Sequence, residues 1–92
     1  MIRNWGNAAT RRMFETGRSK FGGLNVGLAL EMLALLDAAP SLAPLAALRS
    51  ARLHKLKGDR IGQWALSLNG PWRICFRYRN GDVYGVEVVD YH

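Results

Sequence analysis

The side chains able to move protons or hold an anion gather in the second half of this chain: His54, Lys55, Lys57, Asp59, Arg60, Arg73, Arg77, Asp90, Tyr91 and His92. The last three are consecutive and follow an apolar run, Val86 to Val89, interrupted only by Glu87. Chain ends are usually frayed and chemically plain, so a carboxylate, a phenol and an imidazole in that place ask for a reason. No Gly-x-Ser-x-Gly elbow, Walker-type loop or His-Glu-x-x-His accompanies them. These residue types match metal-free phosphodiester chemistry on RNA. It needs a base for the ribose 2′-OH, an acid for the leaving 5′-oxygen, and cations where charge grows on the phosphate. Histidine serves both proton roles near neutrality, and arginine serves the third. Each residue alone also has a structural use: His54 can stack in a strand, Lys57 can be solvated, and Asp90 can cap a turn. Spacing allows them to meet without requiring it.

Bulk properties narrow the partners. Thirteen Lys and Arg against seven Asp and Glu give a net charge of +6, and eight of the thirteen lie at or after Arg49. That balance favours an anionic partner, most often nucleic acid. The 92 residues suffice for one core, so a single domain spanning 1–92 is expected. The longest apolar stretch, Leu28 to Leu36, is interrupted by Glu31 and is far too short to span a bilayer. No basic segment leading into an apolar run and cleavage site opens the chain, and Cys75 has no intrachain partner, so a reducing cytoplasm is the expected location. Two separate histidines and one cysteine offer no metal-ligand spacing.

The elements that must position these groups can be read from periodicity. "MIRNW" suggests a short strand. "NAATRRMFETG" predicts a helix stopped by Gly17, and Leu24 to Ala39 predicts the main helix, ended by Pro40. Leu24, Leu28, Met32, Leu35 and Leu36 have helical spacing, while Val26, Leu30 and Leu33 widen the apolar surface enough to predict burial on more than one side. Ser41 to Ala51 is a Pro-containing connector with room for a turn of helix. From Arg52 the period becomes two. "RLHKLK" predicts a strand, "GDRIG" a turn, and "QWALSLNG" a strand turning Trp64, Leu66 and Leu68 one way. After "NGP", Trp72, Ile74, Phe76 and Tyr78 alternate with Arg73, Cys75, Arg77 and Arg79. "NGD" then signals a hairpin into the last strand. Helices first and a meander afterwards predict an α+β fold, two N-terminal helices packed on a mainly antiparallel sheet. Its open face would carry Arg73, Arg77 and Arg79 as a cradle for phosphate oxygens.

The block from Arg52 to His92 resembles the C-terminal half of HigB-type toxins in the RelE/ParE superfamily. The similarity rests on the Lys-Gly-Asp-Arg-x-Gly-Gln-Trp run at Lys57 to Trp64, the Trp-Arg-Ile-x-Phe strand at Trp72 to Phe76, and the terminal Asp-Tyr-His. "MIRNW", "FETG" at Phe14 to Gly17 and "LALLDAA" at Leu33 to Ala39 are similar as well, so the resemblance covers essentially the whole chain. Relatives tend to carry basic residues on the second helix, whereas Leu24 to Ala39 has none and includes Glu31 and Asp37. The resemblance implies a microbial-ribonuclease-like fold and the toxin of a type II toxin-antitoxin system. Such a toxin is a metal-independent endoribonuclease, an mRNA interferase that cuts message in the ribosomal decoding site. Carried over by position, it implies that His54, Asp90, Tyr91 and His92 form the proton-transfer pocket, with Arg73 on the phosphate and Lys57 beside it. Arg52, Lys55, Arg60, Arg77 and Arg79 are the expected contacts to RNA and ribosome. The implied partners are a HigA-like helix-turn-helix antitoxin, the ribosome and mRNA, with operator DNA reached only through the antitoxin complex and no membrane. The competing reading is a non-catalytic ParE-like inhibitor of DNA gyrase.

Overall fold

In a computed structural model describing residues 1–90, helices α1 (Ala8–Thr16), α2 (Val26–Ala38) and α3 (Ala43–Ala46) precede a sheet of β1 (His54–Lys55), β2 (Trp64–Ser67), β3 (Trp72–Arg79) and β4 (Asp82–Asp90). The four strands lie in sequence order, each antiparallel to the next. Among the described residues no helix is long and apolar enough to cross a membrane.

Local chemistry sets the helix ends. Asn7 caps α1 by accepting from Thr10 N at 2.9 Å, and Gly17 closes it at φ 76°, a left-handed conformation that costs glycine little. Asn25 caps α2 in the same way through Leu28 N, and the helix stops just before Pro40. The α1 cap also ties the helix to the last strand. The buried Thr10 hydroxyl donates to Asn7 Oδ1 at 2.6 Å and accepts from Val88 N at 2.8 Å. The edge of β4 is therefore anchored close to the chain end.

One apolar core fills the space between helices and sheet, with Met13, Ala29, Leu33, Leu36, Leu66, Ile74, Phe76, Val86 and Val88 almost wholly buried. The alternation in β2 and β3 is as expected, since Trp64, Leu66, Leu68, Trp72, Ile74, Phe76 and Tyr78 all pack on this side. Leu66→Ala should therefore cost about 2–5 kcal/mol, a large share of what holds a small domain together. A thermal melt matching the parent would contradict the central position of Leu66.

Several expectations need correction. The buried strip of α2 is Ala29, Met32, Leu33 and Leu36, while Leu28 is half-exposed and Leu35 is 38% exposed. A helix this apolar has two adequate strips, and its own sequence does not choose between them. Nor does α2 bury two sides fully: Glu31, Ala34, Leu35 and Ala38 face out. The strand expected over "RLHKLK" is paired only at His54 and Lys55, between 3₁₀ turns at Arg49–Ala51 and Gly58–Arg60. "MIRNW" forms two isolated parallel bridges, Ile2 with Val83 and Trp5 with Val86, which cover the free edge of β4.

Strand β4 also carries a bulge that alternation alone does not show. Cys75 pairs with Glu87 but Arg77 pairs with Tyr84, so Gly85 and Val86 together face Phe76. Gly85 sits at φ 60°, as the left-handed position of such a bulge demands, and its N–H donates to Asn4 Oδ1. The extra residue lets Val83 and Val86, three apart, both enter the core, and it turns Tyr84 to the outer face beside Arg77.

Candidate active site

The outer face of the sheet, away from the helices, is only partly open. Leu56, Ala65 and Cys75, with Val89 against them, form a second small apolar cluster there. Arg60 reaches across this face, donating to Glu87 Oε1 at 2.9 Å and Gln63 Oε1 at 3.1 Å. Burial pushes the Cys75 thiol up from 9.0 to about 11, against the opposing fields of Arg60 and Arg73 and with that of Glu87. The thiol favours folding below pH 9.0, a contribution lost as pH climbs through 11. A neutral, buried thiol is packing material and not a nucleophile.

Arg73 stands at the start of β3, beside the β2–β3 turn. Its Nη1 donates to Gly70 O at 3.0 Å and Trp72 O at 2.8 Å. Among the described residues its other guanidinium N–H groups make no hydrogen bond, so donors remain for an anion. With Arg52, Ser50, Ser67 and Gly70 it lines a hollow of about 330 Å³. Its charged lining residues, Arg52 and Arg73, are both positive and two of the others, Ser50 and Ser67, bear hydroxyls, a set of residues suited to a phosphate.

His54 is held next to this hollow by one of its own residues. Its Nδ1 lies 2.7 Å from the Arg52 carbonyl oxygen. A carbonyl can only accept, so Nδ1 carries the hydrogen and Nε2 is the nitrogen able to take a proton. Arg52 adopts φ 48°, unusual for a side chain with a Cβ and a modest backbone strain maintained beside the imidazole. Register aligns His54 with Ala65, Cys75 and Glu87, and Arg73 with Ser67 and Val89 in the adjacent row on the same face. Two strand spacings and two residue rises put their Cα atoms roughly 12 Å apart.

The remaining expected site residues that the structure describes are dispersed. Lys57 is exposed where the Gly58–Arg60 turn begins and does not line the hollow that Arg52 and Arg73 share. Asp90 pairs with Trp72 and shares strand parity with Val86 and Val88, which places it on the helix side of the sheet, opposite His54. Lys55 also lies on that side, its Nζ 5.2 Å from the centre of the Trp64 ring. Arg60 is engaged by Glu87 and Gln63. Arg77 and Arg79 occupy a separate hollow of about 370 Å³ with Tyr84, so the three arginines of β3 do not form one cradle. Tyr91 and His92 lie outside the described residues.

Residue types alone do not single out Ser50, Ser67, Glu87 or Tyr84. Glu87 is detectable as the outward residue between inward Val86 and Val88. Ser67 is detectable by its parity with Ala65. Nothing local signals Ser50, and the bulge conceals Tyr84.

Comparison with known proteins agrees with the earlier resemblance. Residues 8–92 match the HigB-like toxin family, described as the RelE-like toxin of the type II toxin-antitoxin system HigB. Over 93 aligned residues, covering 100% of both chains, the sequence is 33% identical to a protein of Proteus vulgaris named Endoribonuclease HigB.

Proposed function

The chain belongs to the HigB-like family of RelE-like type II toxins, and from that premise we propose that it is an endoribonuclease that cuts messenger RNA in the decoding site of the ribosome. The observation that carries this reading is His54, its Nδ1 turned to the Arg52 carbonyl, on the same sheet face as Arg73. His54 Nε2 takes the 2′-OH proton as the 2′-oxygen attacks phosphorus. The P–O5′ bond breaks, leaving a 2′,3′-cyclic phosphate, and the departing 5′-oxygen receives a proton from the chain terminus. Arg73, with Arg52 across the hollow, stabilises the charge that grows on the phosphate oxygens.

Family membership entails an antitoxin partner, and in this reading it is a HigA-like helix-turn-helix protein that brings operator DNA to the complex. The reading places the toxin in the cytoplasm, where messages are translated. A scaffold of this size has little surface with which to orient RNA alone, so the ribosome supplies the positioning. Primer extension on total message after induction without antitoxin tests the proposal. Internal cuts within translated codons, reproduced by purified protein only when ribosomes are present, are expected. Equal cutting of naked RNA would remove the ribosome from the reading. Intact message with DNA damage would point to a gyrase inhibitor of the ParE kind.

Arg73→Ala should lower cleavage by roughly one to three orders of magnitude, the loss that follows removal of one transition-state charge partner. Arg73→Lys should recover only part of this, because an ammonium lacks the planar fork that holds the two carbonyls and the phosphate together. Full recovery with lysine would reduce Arg73 to a general electrostatic contributor.

A further inference from the structure

The hollow at the opposite end of the outer face has features that neither the core nor the proposed reaction uses. It is lined by Gly62, Arg77, Tyr78, Arg79 and Tyr84. Tyr84 is half-buried yet belongs to neither apolar cluster, and among the described residues its ring has no aromatic or cationic partner. It faces outward only because the Gly85 bulge shifts the register and pairs it with Arg77. A bulge that re-aims an aromatic ring toward solvent, at the cost of a glycine in a strand, calls for something to be placed on that ring.

Charge points the same way. Two acids of β4, the strand that carries Tyr84, are already neutralised: Asp82 by Arg3 at 3.1 Å and the terminal amine at 3.6 Å, and Glu87 by Arg60 at 2.9 Å. Although Asp82 is the strand partner of Arg79, its carboxylate is turned to Arg3. Among the described residues neither Arg77 nor Arg79 enters an ion pair. The Arg77 guanidinium is seated against Gly62, where an added Cβ would lie 2.6 Å from Nη1, so this position must stay glycine for Arg77 to keep its place.

We infer that Tyr84, Arg77 and Arg79 form a second RNA-binding subsite, in which an unpaired base stacks on the tyrosine and the flanking phosphates meet the two guanidinium groups. A single strand fits this arrangement because stacking accepts any base while the arginines follow the backbone. The subsite lies six residues along β4 from Asp90, roughly 20 Å, so a strand lying across the face would contact both ends of the sheet. The inference rests on the reading that this toxin acts on RNA, and it does not depend on which residues transfer protons.

The test is equilibrium binding of the full chain, by fluorescence anisotropy, to a 2′-O-methyl RNA oligonucleotide that cannot undergo 2′-OH attack. A second arm uses empty small ribosomal subunits. Tyr84→Leu keeps apolar bulk but removes the ring, and should weaken binding about five- to a hundredfold, while Tyr84→Phe stays near the parent. Arg79→Ala should flatten the dependence of log affinity on log salt by about 0.7. Loss with the oligonucleotide identifies the message as occupant, and loss with empty subunits identifies ribosomal RNA. Parental affinity for Tyr84→Leu in both arms overturns the inference, as does a parent that binds neither probe or a phenylalanine variant as weak as the leucine one. A parent that binds but never cuts message removes the nuclease reading alone. A parent that cuts while Tyr84→Leu binds unchanged removes the subsite alone.

Discussion

Replacing His54 by alanine is expected to lower ribosome-dependent cleavage by about two to four orders of magnitude, the usual worth of one general base. The fold should be nearly unaffected, because His54 is exposed and stands in a strand of two residues, outside both apolar clusters. His54→Gln refines the test. Its amide can still hydrogen-bond to the Arg52 carbonyl but cannot accept a proton near neutrality, so it should be about as inactive as alanine. Cleavage within about tenfold of the parent in either variant would transfer the base role to another residue.

How far such a site can be read from residues alone depends on what each signal measures. The faces of β2 and β3 were legible because a period of two is local: Leu66 and Ile74 alternate with Ser67 and Arg73 whatever lies above them. The ends of α1 were legible for the same reason, since a cap needs only Asn7, Thr10 and Gly17. The buried strip of α2 was not, because Leu35 and Leu33 are equally apolar and only the sheet beneath decides between them. The bulge at Gly85 was not either. A glycine between Tyr84 and Val86 is compatible with an ordinary strand, and it is the N-terminal segment, through Asn4, that holds the bulge in place. The proposed site divides along the same line. A motif records order along the chain and groups Asp90 with His54. Strand parity records the face and puts Asp90 with Val88, across the sheet from His54. Arg60 shows the complementary effect: its charge is obvious in the sequence, but the Glu87 that engages it is 27 residues away and visible only once β3 and β4 are paired.

That division makes the chain terminus the most demanding test of the proposed chemistry. Deleting Tyr91 and His92 should abolish cleavage, a loss of at least about a hundredfold, while leaving antitoxin binding and the thermal melt close to the parent. The fold should survive because the buried positions of β4, Val83, Val86 and Val88, are all retained. The Thr10 hydroxyl that secures Val88 N comes from the other end of the chain. The activity should not survive, because Glu87, the carboxylate that shares the outer face with His54 and Arg73, is already engaged by Arg60, and the described residues hold no second histidine. The chain contains only two histidines, and His92 is the other. With Asp90 on the helix side by register, the acid for the 5′-oxygen falls to Tyr91, to His92 or to the ribosome. Single variants distinguish these sources. His92→Gln should be nearly as inactive as the truncation if the imidazole delivers the proton, and Tyr91→Phe should be so if the phenol does. A C-terminal tag should depress cleavage as well, since it converts the terminal carboxylate to an amide and crowds the same end. Residues beyond the last buried position of a strand are ordinarily dispensable. Full toxicity in the truncated and tagged proteins would therefore mean that the ribosome supplies the acid and that His54 and Arg73 are this chain's whole contribution.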